Sequence, residues 1–217
     1  MSKQKKTRHQ AWSAIGDFVE NAITNNIVLF QGMGLFPVIA AGVSLKNGVV
    51  LTACTAVVML PLSVLLSLLG NRLPKWLRPV AYVLLASLLL VGAAYLLETR
   101  ISPELYAKLY LFIPLMAVNL LYTRSMDFVA RAPLLETAMD ALGSTVGFGI
   151  VICLISALRE MAISNTLWDQ PLHFTVDLPE AASPFAAFIL LGFLSALLQW
   201  SRQRVAAYFR KKEEETV

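Results

Sequence analysis

Charge is scarce in this sequence. Asp, Glu, Lys and Arg together make up 15% of the 217 residues, against about a quarter in an ordinary soluble domain. Histidine and cysteine number two each, which leaves no His-rich metal spacing and too few thiols for a structural zinc site. Both cysteines, Cys54 and Cys153, lie inside apolar runs, where a thiol is a small hydrophobe rather than half of a secreted disulfide framework. Walker, dinucleotide-binding and nucleophile-elbow motifs are all missing, so nothing points to an enzyme that works by itself.

Long apolar runs are what the sequence has instead. Hydrophobic residues reach 57%, and a bilayer core about 30 Å thick is crossed by roughly 20 of them in a helix. Residues 49–69, 80–97, 142–158 and 185–200 meet this as four clear spans, with Trp200 at an interface where indoles concentrate. Two further apolar stretches are interrupted. Residues 27–45 carry Gln31, Gly32, Gly34 and Pro37, and residues 105–122 carry Lys108 and Pro114. Proline lacks a backbone donor and clashes with the preceding turn, so each of these is expected to break into half-helices. The predicted fold is an all-α membrane protein of six transmembrane helices, with no room for a separate soluble domain.

Lysine and arginine set the orientation. With the N-terminus inside, fourteen of the eighteen basic residues fall on the cytoplasmic side. They lie in the N-terminal tail, the turn at Arg72, Lys75 and Arg78, the loop of Arg124 and Arg131, and the C-terminal tail. Only Lys46, Arg100, Lys108 and Arg159 fall on the other. Both termini are therefore expected in the cytoplasm of a multi-pass inner-membrane protein. Before the first span, Trp12, Ile15, Val19 and Ile23 recur at helical spacing and predict an interfacial amphipathic helix rather than a cleaved signal. The expected organisation is one transmembrane domain over 1–217: tail and interfacial helix at 1–24, a three-helix unit at 25–97, a second at 105–200, and a cytoplasmic tail at 201–217.

The two interrupted stretches look alike. GLFPVIAAG (residues 34–42) and LFIPLMAVN (residues 111–119) each set a proline after an apolar start, and each precedes two unbroken spans. A three-span unit is odd, so its repeat must insert upside down, giving two inverted three-helix repeats with broken first and fourth helices. Gln31, Gly34, Pro37, Pro114 and Asn119 are the candidates for the place where the breaks meet at midplane, and Asn25 and Asn26 sit at the mouth of the first. Polar side chains there either contact a substrate or close hydrogen bonds on freed backbone carbonyls. No ionisable residue falls in the middle of a clear span, so a proton relay has no obvious carboxylate. Asp140 and the Arg159-Glu160 pair flank the fifth span as caps or interfacial anchors. Gly143, Ser144 and Gly147 give it a small-residue face for close packing.

Several strings resemble the integral-membrane subunits shared by the Rnf and Nqr respiratory complexes, nearest the Rnf E-type and Nqr D-type subunits. They are NNIVLFQGMGLFPVIA (residues 25–40), LYAKLYLFIPLMAVN (105–119), RSMDFVA (124–130), ALG after Asp140, ALREMAISNTLW (157–168) and SPFAAFILLGF (183–193). The resemblance runs through nearly the whole chain, in order. It implies six spans in inverted repeats, a related six-span partner of opposite orientation, other complex subunits, and electron transfer coupled to sodium or proton transport. It also implies one cysteine from each broken helix, the paired subunits together holding a [2Fe–2S] cluster. Here the sequence departs from the pattern: Phe36 follows Gly34-Leu35 where the family has cysteine, and Leu120 follows Val118-Asn119. Neither side chain replaces a thiolate, and Cys54 and Cys153 lie in other spans. The resemblance therefore predicts a membrane subunit of a ferredoxin or NADH oxidoreductase complex, with no catalytic residue, metal ligand or cofactor of its own. A small transporter on the same scaffold, with Gln31 and Asn119 as its polar contacts, is the alternative reading, and a purely structural membrane protein is the third.

Overall fold

The structure is a computed structural model, and it describes residues 22, 26, 28–29, 32, 34–69, 73–74, 76–116, 133–172 and 178–214. The interfacial segment with Trp12, Ile15, Val19 and Ile23 lies outside the described residues, as do Asn25, Gln31, Asn119, Leu120, Arg124 and Arg131.

Four helices among the described residues are long and apolar enough to cross a membrane, covering Leu45–Leu69, Arg78–Arg100, Leu134–Ser164 and Pro184–Ser201. They fall on the four clear spans of the sequence. Among the described residues, this membrane protein is all-α apart from one hairpin of two-residue strands. In order, α1 is Leu35–Ala40, α2 Leu45–Leu69, α3 Arg78–Leu96, α4 Pro103–Leu109, α5 Phe112–Leu115, α6 Leu134–Ser164 and α7 Pro184–Glu214. A π-helical turn at Leu97–Ile101 extends α3, and a 3-10 turn at Pro179–Ala182 leads into α7. Among the described residues, the short α1 precedes the long α2 and α3, and the short α4 and α5 precede the long α6 and α7.

The helix ends follow local chemistry. Pro79 occupies the first turn of α3, where its missing N–H has no intrahelical partner to lose. Pro133 stands just before α6, and Asn165, with φ 51°, stops it in the left-handed conformation. The apolar count predicts 142–158 for this span, yet α6 runs well past both ends. Hydropathy locates the stretch inside the bilayer, whereas proline and asparagine decide where the backbone stops. Likewise α7 continues beyond the apolar span, through the basic tail to Glu214.

The core forms where α2 lies against α6. Leu51, Val58, Met59 and Leu62 of α2 and Phe148, Val151, Ile152 and Ile155 of α6 are buried there. Gly149 permits the close approach: a Cβ on it would sit 2.5 Å from Cγ2 of Thr52. Gly143, Ser144 and Gly147 are buried on the same helix, as the small-residue face predicts. The outward faces of α3 and α7 are apolar and exposed, with Leu84, Leu88, Val91, Phe185 and Phe193 among them.

Candidate functional site

The first broken stretch restarts as α1 behind two glycines in the left-handed region, Gly32 at φ 67° and Gly34 at φ 79°. A side chain at Gly34 would meet both the backbone strain and the ring of Phe148 at 3.3 Å. Pro37 is the third residue of α1, inside the first turn, where no hydrogen bond is lost. The second broken stretch differs: Tyr110 and Leu111, between its two pieces, keep right-handed helical torsions. Helix α4, with Lys108 in its last turn, ends at Leu109, and α5 starts at Phe112 with Pro114 as its third residue. Each proline therefore stands at the restart of a helix, so the break lies just before it.

The two short helices α1 and α5 touch through an aromatic pair. Phe36 of α1 and Phe112 of α5 stack with ring centroids 6.0 Å apart at an interplanar angle of 44°, a tilted geometry that aromatic pairs favour. Phe36 remains 48% exposed, so one side of the clasp faces outward. Of the residues singled out from the sequence, Phe36 makes this contact; Gly34 and Pro37 lie beside it on the chain before and within α1, and Pro114 lies within α5. Gln31, Asn119 and Leu120 lie outside the described residues.

Asn26 closes backbone hydrogen bonds. It is buried, its Nδ2 donates to the carbonyls of Ala22 at 3.2 Å and Gly147 at 2.8 Å, and its Oδ1 accepts from the amides of Val28 and Leu29. The chain just ahead of the glycines is thereby fixed to α6. Ser195 of α7 adds a bond to the Leu29 carbonyl at 3.2 Å.

The Arg159-Glu160 pair does something that spacing alone did not reveal. Arg159 is fully buried, and its five donors meet five backbone carbonyls. Nη1 reaches Ile39 at 2.9 Å and Gly42 at 3.0 Å; Nε reaches Ala181 at 2.9 Å; Nη2 reaches Ala182 at 2.6 Å and Ser183 at 3.4 Å. Those carbonyls close α1 and the 3-10 turn, so one cation satisfies two helix C-termini. Glu160 takes the opposite polarity. Its Oε2 accepts from the Leu45 amide at 2.6 Å, at the first residue of α2, and from the Ser44 hydroxyl at 3.2 Å. Its Oε1 accepts from the Asp169 amide and the Thr166 hydroxyl in the hairpin. Thr166–Leu167 and Gln170–Pro171 pair antiparallel around Trp168 and Asp169, both at positive φ, and Asp169 forms an ion pair with Lys46. Adjacent residues on α6 thus cap α1 from behind and α2 from in front. Asp140, in contrast, lies in the second turn of α6 and is buried.

Comparison with known proteins gives this arrangement a family. The model of the Rnf-Nqr subunit, a membrane protein, matches residues 14–195. The chain belongs to the Rnf-Nqr family. The E-type subunit of the ion-translocating oxidoreductase complex of Shewanella oneidensis is 33% identical over 190 residues, covering 80% of this chain and 81% of the relative. Its namesake from Vibrio cholerae is 29% identical over 210 residues, covering 89% and 90%. That of Pseudoalteromonas atlantica is 30% identical over the same length and coverage.

The donor set at the clasp does not suit the [2Fe–2S] cluster that the family resemblance implies. Such a cluster needs thiolates, and the first broken helix presents a phenyl ring at position 36, stacked on a second phenyl ring. Cys54 is buried within α2, and Cys153 is half-buried on α6; both lie on other helices than Phe36 and Phe112.

Proposed function

We propose that this chain is the E-type membrane subunit of an ion-translocating oxidoreductase complex, and that it acts as a scaffold without holding an iron–sulfur cluster. The observation that carries the first half is the family match through nearly all of the chain, including both broken helices. The second half rests on Phe36, which fills the cysteine position with a ring already engaged by Phe112.

In this reading the chain is one transmembrane domain, with residues 25–97 and 105–200 as inverted three-helix repeats whose breaks meet at the aromatic clasp. Both termini lie in the cytoplasm, and the protein resides in the inner membrane, as the fourteen-to-four division of basic residues favours. A related six-span chain and further complex subunits are its partners. Support for partners comes from the last span, of which only 11% is buried within the chain. No redox step is assigned to this chain's own residues; electron routing belongs to its neighbours.

The test is purification of the tagged chain from native membranes in mild detergent, with mass spectrometry of the co-purifying polypeptides. A related six-span protein with flavin or ferredoxin-type subunits is the expected result. Recovery of the chain alone, under conditions that keep other membrane complexes whole, would refute the proposal.

A further inference from the structure

A groove of about 380 Å³ runs between α3 and the second broken stretch. Residues of α4 and α5 face one flank of α3 here without filling the space between them. Leu90, Val91, Ala94, Ile113 and Pro114 make its apolar walls. Ser87 closes the deep end, but its hydroxyl donates to the Val83 carbonyl at 2.7 Å and so offers no free donor. The polar groups gather at the opposite end, where Tyr95, Tyr106 and Glu98 line the mouth.

The groove has the dimensions and polarity of one leaflet. From Ser87 to Glu98 is eleven residues of helix, roughly 16 Å at the α-helical rise, and half of a bilayer core is about 15 Å. Tyrosines at the mouth fit the level of the headgroups. The groove also opens sideways, because Val91 and Tyr95 are 69% and 65% exposed on the apolar outer face of α3. The carboxylate at the mouth is the charged group in the lining, and it favours a headgroup carrying a cation over a purely anionic one.

We infer that this groove seats one acyl chain of a phosphatidylethanolamine molecule, with the ammonium headgroup beside Glu98 and the chain end reaching Ser87. The bound lipid fills the space between α3 and the two short helices and braces α5, and through Phe112 the clasp, against α3. This inference needs only that the chain sits in a membrane, so it stands or falls separately from the identity of the complex.

The experiment uses the full chain, extracted from native membranes with whatever partners it keeps. A photoreactive benzoylphenylalanine at position 91 is irradiated in the membrane, and lipid retained after purification is identified by native mass spectrometry. The expected results are a phospholipid adduct at position 91 and a retained phosphatidylethanolamine that Ala94→Phe, by filling the groove, removes. Glu98→Gln alters an exposed side chain without touching the core. It should keep a bound phospholipid but lower the preference for phosphatidylethanolamine over phosphatidylglycerol by roughly three-fold, as an exposed charge contact would. A polypeptide adduct at position 91, a retained isoprenoid quinone, or a headgroup preference unmoved in Glu98→Gln would each overturn the inference.

Discussion

A single buried cation does much to organise one end of this molecule. Arg159 is surrounded by carbonyls rather than carboxylates, and that choice suits its position. A planar fork with five donors can serve two helix C-termini at once, where an ammonium has three donors and no fixed plane. Arg159→Lys should therefore fail nearly as badly as Arg159→Met. Both are expected to lower stability by about 3 kcal/mol or more, because buried carbonyls lose their partners. Thermal unfolding of the purified protein in detergent measures this. A loss in Arg159→Lys much smaller than in Arg159→Met would show that charge matters there and geometry does not. Glu160→Gln should cost less, about 1–2 kcal/mol, since an amide oxygen still accepts from one of its two sides.

Among the elements, the contact between α2 and α6 makes the sharpest prediction. A methyl group on Gly149 would stand 2.5 Å from Cγ2 of Thr52, so Gly149→Ala has to move one helix or the other. Overpacking costs about 1–3 kcal/mol, while alanine gains roughly 1 kcal/mol over glycine in helix propensity. Gly149→Ala alone should thus destabilise. In a Thr52→Ala background, where Cγ2 is gone, the same change should be neutral or stabilising. Unfolding midpoints of the four proteins in this cycle decide the matter, and equal effects in both backgrounds would mean that the helices are not in contact at this point. The elements also show what the sequence could and could not reveal. The four long helices were legible because twenty apolar residues without charge have few alternatives in water or lipid. The breaks were legible from Gly34, Pro37 and Pro114, whose backbone limits are local. The capping by Arg159 and Glu160 was not, because most of their partners are backbone groups, as far as 120 residues away along the chain, and backbone groups carry no sequence signature. The Phe36–Phe112 contact was hidden for a related reason: an aromatic residue next to a helix break is ordinary until the other break is brought beside it.

Taken whole, the molecule is an all-α membrane protein of the Rnf-Nqr family, and it departs at two positions, 36 and 120, from the cysteine pattern that the family resemblance implies. Gly34 at positive φ, and Pro37 and Pro114 each as the third residue of a short helix, mark where those helices start. At position 36 a phenyl ring lies against Phe112, while Leu120 lies outside the described residues. The orientation proposed from the basic residues predicts that reporter fusions active only in the cytoplasm will work at both the N- and C-terminus. The same fusions should be silent in the hairpin at Trp168. Activity at the hairpin would reverse the assignment.

The central claim, that an aromatic clasp stands where the family resemblance implies a cluster ligand, is tested most directly by chemical analysis. The chain is to be separated from its partners without oxygen and assayed for iron and acid-labile sulfide per polypeptide. Neither should rise above background, and Phe36→Leu should leave that result unchanged. Stoichiometric iron and sulfide, lost in Cys54→Ala or Cys153→Ala, would contradict the account and return this chain to the path of the electrons.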